Sequence, residues 1–171
     1  KEMETIETKE QRSDNFFSLV KELDKVDGIE RYRISSIEPN LLTNEIIEFV
    51  ANSKKFMPHF HIPLQSGSDE MLASMQRKYD SSFYRKKIEF ILSKIPHAAI
   101  GVDVIVGYPE ETERHFDESY NFVNSLPVSY LHVFTYSERA NTAALDIKPV
   151  VPIQVRNERN KLLRNLSYQK L

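Results

Sequence analysis

Cysteine is absent from the 171 residues. That excludes a disulfide scaffold, a thiol nucleophile and any cysteine-ligated metal within this chain. No apolar run approaches the roughly 20 residues that a membrane-spanning helix needs. Lys1 to Glu10 is charged and lacks the apolar stretch of a secretory leader. No hydrolase elbow, phosphate-binding P-loop or GxGxxG run is present, and there is no low-complexity segment or Gly/Ser-rich linker. The net charge is only −2, so the domain as a whole does not attract polyanions. Hydrophobic residues at 40% and charged residues at 28% are ordinary for a globular chain, and the length suits a single domain, 1–171. The chain opens on Lys1 and its first methionine is Met3, which reads as a piece of something longer.

What is present is an alternation of two hydrophobic periods. Phe16, Val20, Leu23 and Val26 are spaced for one helix face. Arg31 to Ile37 reads as a strand stopped by Glu38-Pro39-Asn40. Thr43 suits an N-cap, with Glu45 in the positive first turn and Ile46, Ile47, Phe49 and Val50 as the buried face. His59 to Leu64 reads as a second strand, and Ser66-x-x-Asp69 as the cap of the following helix. Asp80 or Ser81 opens a helix bearing Tyr84, Ile88, Ile91 and Ile95. Ala99 to Val106 is the most apolar strand, and Thr112 opens a helix carrying Phe116, Tyr120 and Val123. Tyr130 to Tyr136 is the last strand. Pro152 fits a helix N1 position, with Val155, Leu162 and Leu166 inward. Strands separated by helices pair in parallel through right-handed crossovers. About four strand–helix units are too few for a closed eight-stranded barrel. The expected class is therefore α/β, either an open parallel sheet or a partial (β/α) barrel.

In such folds sites form at the carboxyl ends of the strands. Here each strand ends in a polar cluster: Ser35-Ser36-Ile37-Glu38, Gln65-Ser66-Gly67-Ser68, Gly107-Tyr108-Pro109-Glu110-Glu111, and Tyr136-Ser137-Glu138-Arg139 with Asn141 and Thr142. Turn chemistry explains any one of them; four in register point to a binding rim. His59 and His61 share a strand face, and His132 lies in another strand. A metal hydrolase built on these three is one reading, but a hydrogen-bonded structural role is commoner for strand histidines, and no metal ligand is assigned. Asp103 interrupts an apolar strand, where a carboxylate needs a partner: a ligand hydroxyl or a structural arginine. The segment from Pro152 carries Arg156, Arg159, Lys161, Arg164 and Lys170 against Glu158. It is either a solvated helix face or a phosphate-facing surface.

Four runs carry a resemblance. They are Arg31-Tyr-Arg-Ile-Ser-Ser-Ile-Glu-Pro39; His61-Ile-Pro-Leu-Gln-Ser-Gly-Ser-Asp69 with Met75-Gln-Arg77-Lys-Tyr79; Asp103-Val-Ile-Val-Gly-Tyr-Pro109 with Glu111-Thr112-Glu113; and His132-Val-Phe-Thr-Tyr-Ser-Glu-Arg139. In order and spacing, from about Asn15 onward, they resemble the radical S-adenosylmethionine methylthiotransferases, and among these the tRNA enzymes that act on threonylcarbamoyladenosine. The resemblance implies the C-terminal part of a barrel of about six units. The cluster-binding N-terminal part and a C-terminal RNA-binding domain would lie outside this chain. It implies S-adenosylmethionine and four-iron four-sulfur clusters as cofactors, with cluster ligands outside this chain, so that the fragment alone is inactive. It implies tRNA and a cluster reductant as partners, no membrane, and a cytoplasmic setting. The expected activity is methylthiolation of a modified adenosine beside the tRNA anticodon. Modification of a ribosomal-protein aspartate, or a noncatalytic scaffold role for the piece, stand as alternatives.

The expected cofactor-binding set is Ser35, Ser36, Glu38, Gln65, Ser66, Arg77, Asp103, Val106 and Gly107. Ser35, Ser36 and Glu38 suit the amine or ribose, Gln65 and Ser66 the ribose or carboxylate, and Arg77 the carboxylate. The Val106–Gly107 edge suits the adenine. His61, Tyr136 and Arg139 are expected to face the substrate; no catalytic residue is assigned. Glu110 and Asn141 stand where the family usually has glycine, so both turns are expected to need a left-handed backbone.

Overall fold

The computed structural model describes residues 15–170. The helices are α1 (Phe16–Asp24), α2 (Asn44–Asn52), α3 (Asp69–Ser74), α4 (Ser81–Lys94), α5 (Glu113–Ser125) and α6 (Ile153–Lys170). The strands are β1 (His59–His61), β2 (Ala99–Val106) and β3 (Tyr130–Thr135). They form a three-stranded parallel sheet in the order β1-β2-β3. The α/β class and the partial, open parallel barrel agree with the sequence reading. Among the described residues no helix is long and apolar enough to cross a membrane.

Local chemistry accounts for the helix starts. Asn15, Thr43, Asp80 and Thr112 each accept a backbone N–H with their side chain at an N-cap. His115 completes a reciprocal capping box with Thr112. The cap of α3 differs from the expectation: Ser68 holds the N-cap position without a side-chain bond, and Ser66 Oγ instead accepts the Ser68 N–H.

Three further expectations are corrected. Arg31 to Ile37 forms no regular strand; among the described residues it makes two isolated bridges, Tyr32–Phe56 just ahead of β1 and Ser36–His61 onto β1. Its donors reach sideways instead, Tyr32 N–H to Lys55 O and Ile37 N–H to His61 O. Val26 falls beyond the end of α1 and is exposed. In α6, Leu163 is buried and Leu162 exposed, and Pro152 lies just before the first helical residue. The inward stripe is Arg156, Arg159, Leu163 and Leu166: Leu166 is inward as expected, while Val155 and Leu162 give way to their neighbours Arg156 and Leu163. Two arginines occupy that stripe because acidic partners wait beneath it, which leaves Lys161 and Arg164 as the exposed cations of the expected basic face. Arg156 bonds Glu138 at 2.7 Å, and Arg159 bonds Glu111 at 2.6 Å.

Strand alternation sorts the sheet into two faces. Phe60, Ile100, Val102, Val104, Val106 and Leu131 are buried in the core. The opposite face carries His59 and His61, Gly101, Asp103 and Ile105, and Tyr130, His132 and Phe134. This second face is polar, and His132 and Phe134 on it are exposed.

Candidate functional site

The site is built on that open face and on the turns at the carboxyl ends of the strands. The register sets Asp103 beside His132. His61 Nε2 lies 2.7 Å from Asp103 Oδ1, and His132 Nδ1 lies 3.3 Å from the same oxygen. Ser36 Oγ shares a 3.2 Å hydrogen bond with His61 Nδ1. Asp103 therefore has two histidines as neighbours, where the sequence suggested a ligand hydroxyl or an arginine. His59 stands apart, bonded through Nε2 to Tyr130 OH at 2.9 Å, with its Nδ1 buried and unpartnered. Burial, then the Arg33 charge, holds the His59 pKa below 6.5. Gly101 makes room here: a Cβ on it would collide with the Tyr130 ring.

Glu38 and Arg77 meet at the rim, Nη1 to Oε1, at 2.7 Å. Arg77 Nε is buried without a partner. Gln65 adopts φ 73° and joins the sheet through a bridge to Val104. Ser35 and Ser36 are exposed beside them. Ser66 is turned away; its hydroxyl is buried against Ser119 Oγ at 2.9 Å. The Val106 side chain faces the core, and its carbonyl accepts the Tyr136 N–H at 2.8 Å, so that edge offers Gly107 alone.

Gly107 has φ 76°, and a Cβ there would strike the Arg156 side chain. Its N–H donates to Glu111 Oε1 at 3.0 Å. Burial raises the Glu111 pKa above its ordinary 4.5, against the opposing pull of the Gly107 N–H and of Arg159. Tyr136 packs edge-on to Tyr108, with its OH buried and unpartnered, and Arg139 is exposed. Glu110 has φ 66° and Asn141 φ 62°, the left-handed geometry expected of both.

The structure thus brings together Ser36, His61, Asp103 and His132 as one polar layer, and Glu38 with Arg77 as a charged pair. Ser66 and the Val106 side chain are not part of either. Sequence reasoning missed the Asp103–His132 juxtaposition and the buried Arg159–Glu111 pair. The first was signalled only by their shared strand parity, the second by arginine at helical spacing on an apolar face.

Parallel strands, one helix-covered face and a polar mouth at the strand ends define a partial (β/α) barrel. The chain belongs to the radical SAM superfamily, whose profile matches residues 8–123. It is similar to the threonylcarbamoyladenosine tRNA methylthiotransferase MtaB of Aquifex aeolicus, 40% identical over 91% of this chain and 38% of that protein. The MtaB of Bacillus subtilis is 45% identical, over 91% of this chain and 35% of its own length. The tRNA-2-methylthio-N(6)-dimethylallyladenosine synthase of Carboxydothermus hydrogenoformans is 35% identical over 84% of this chain and 33% of its own length. The chain therefore spans about a third of the length of the curated relatives it matches. Among solved structures, the Escherichia coli coproporphyrinogen III oxidase HemN, a radical SAM enzyme, superposes with a TM-score of 0.62. At 19% identity over 77% of this chain and 30% of that one, it shows the fold.

The superfamily implies S-adenosylmethionine and a four-iron four-sulfur cluster in general. The chain has no cysteine, so it does not fit the cluster. A guanidinium with an unpartnered Nε beside a carboxylate matches the carboxylate and ammonium of an amino acid.

Proposed function

We propose that this chain is the later part of the barrel of a radical S-adenosylmethionine methylthiotransferase that acts on a modified adenosine beside the tRNA anticodon. The observation that carries this reading is the 40–45% identity to two MtaB proteins over 91% of the chain. In it, the cluster-binding and RNA-binding parts belong to a longer protein, which also meets tRNA and a reductant in the cytoplasm. S-adenosylmethionine, bound to a cluster held elsewhere, supplies the radical chemistry.

The residues of this chain bind and orient. Arg77 grips the methionyl carboxylate, and Glu38 accepts from the ammonium. Gln65, Ser35 and Ser36 line the ribose, and Asp103 keeps Oδ2 for a ribose hydroxyl. Gly107 gives the room of its missing Cβ to Arg156 and so keeps the turn beside the rim in place. His61, Tyr136 and Arg139 face the substrate side. Such positioning matters because a displacement of ~1 Å can cost on the order of a hundredfold in rate.

Two measurements test this. S-adenosylmethionine titrated into the isotopically labelled 171-residue chain should shift the amide signals of Glu38, Gln65, Arg77 and Gly107. Arg77→Ala should weaken that binding by ~1.5–3 kcal/mol, roughly tenfold to a hundredfold. Undisturbed rim signals at millimolar nucleoside would remove the binding assignment. Deleting the gene that encodes the chain should strip a methylthio group from adenosine beside the anticodon, read by mass spectrometry of tRNA digests. An unchanged digest would remove the methylthiolation reading.

A further inference from the structure

The layer of His61, Asp103 and His132 lies on the open face of the sheet. Its ligand atoms, one from each residue, all fall within 4.8 Å of one another. Two contacts are shorter: 2.7 Å from His61 Nε2 to Asp103 Oδ1, and 3.3 Å from His132 Nδ1 to that oxygen. Tetrahedral zinc with bonds of about 2.0–2.1 Å sets its ligand atoms about 3.4 Å apart. Both of those distances are shorter than that value, so the Asp103 carboxylate has to swing back from His61 by under ~1 Å to admit the ion, which a small side-chain rotation supplies.

We propose that His61, Asp103 and His132 form a mononuclear site for a divalent transition metal of the zinc class, with a coordination position open to solvent. Three features carry this inference. The donor set is two imidazoles and one carboxylate, the set that suits zinc when a fourth position is kept for water or ligand. Ser36 ties the other nitrogen of His61 at 3.2 Å. In the metal-free chain Nε2 donates to the Asp103 carboxylate; when a metal takes the place of that proton, the ring proton sits on Nδ1 and is donated to Ser36 Oγ, the way metal-binding histidines generally hold their second nitrogen. The third feature is access: the side chains of His61 and Asp103 are 12% and 16% exposed, and that of His132 is 51% exposed. The site is rigid on the strand side and open at His132.

His59 is excluded, since its Nε2 is engaged by Tyr130. The set thus differs from the three histidines that the sequence brings to mind. The inference does not rest on the cofactor reading above: it uses Oδ1 of Asp103, and its probe is the metal alone.

The test is titration of the 171-residue chain with cobalt(II), followed by its visible absorption, and with zinc(II), followed by calorimetry. The expected result is one ion per chain, with the intense bands of a four-coordinate cobalt site. Ser36→Ala should weaken affinity about 10–100-fold. His132→Ala should weaken it further, and His59→Gln should leave it unchanged. His132 is half exposed, so its replacement leaves the fold intact; circular dichroism checks this, and His132→Gln serves as a second variant. Absence of stoichiometric binding at micromolar metal overturns the proposal. So does binding that survives both His132 variants, or binding that His59→Gln abolishes.

Discussion

Replacing Arg159 by methionine tests whether α6 is held to the rim by charge. Arg159 Nη1 donates to Glu111 Oε1 at 2.6 Å and to the Glu111 carbonyl at 3.0 Å, while Nη2 reaches Glu113 at 3.0 Å. The side chains of Arg159 and Glu111 are only 7% and 3% exposed. Removing one partner of a buried pair leaves an uncompensated charge and costs about 3–5 kcal/mol. That is a large part of the roughly 5–15 kcal/mol that holds a typical domain together. The carboxylate has an escape, because it can take up a proton. Its folded pKa already lies above 4.5, so the folded state binds more protons than the unfolded one, and stability falls as pH rises through that window. Without the guanidinium the folded pKa rises further and the window widens upward. The loss in Arg159→Met should therefore be largest near pH 8 and smaller near pH 5. Its slope should be at most ~1.4 kcal/mol per pH unit. Glu111→Gln keeps an acceptor for Gly107 N–H and leaves Arg159 its Glu113 carboxylate and the residue-111 carbonyl, so it should cost less, about 1–3 kcal/mol. Urea unfolding followed by circular dichroism at both pH values measures this. A loss under ~1 kcal/mol, or one of equal size at both pH values, would refute the reasoning: the carboxylate would then be solvated and the pair of little consequence.

Glu110→Gly should stabilise the fold by roughly 0.5–1 kcal/mol, since a glutamate at φ 66° carries a left-handed penalty that glycine escapes; an unchanged or lower urea midpoint would count against it. The His59 pKa is depressed below 6.5, so its contribution to stability is full above pH 6.5 and is lost as pH falls through the folded value. Arg33→Gln should raise that pKa in an imidazole NMR titration, and an unmoved or lowered titration would show that the Arg33 charge does not reach the ring.

Elements whose signals are local can be read from the order of residues alone. The caps at Thr43, Asp80 and Thr112 depend on a side chain meeting its own nearby backbone, so they show in the residue order. Ala99 to Val106 is an apolar run long enough to read as one strand, and the structure gives it those same bounds. The left-handed turns at Glu110 and Asn141 were also legible, through the resemblance that marks both as usual glycine positions. Features that need two distant segments to meet come only with the assembled fold. Arg31 to Ile37 has the pattern of a strand, but a ladder needs a partner along its length, and only two bridges form. The inward stripe of α6 is rotated because Glu111 and Glu138, distant in sequence, reward arginines that hydrophobic periodicity places outside. The polar layer has the same origin. Strand parity puts His61, Asp103 and His132 on one face, but the register between β2 and β3 and the pitch across β1 choose Asp103 over His59 as the third member. Register is a property of the assembled sheet, fixed by the packing of its buried face, and no single strand contains it.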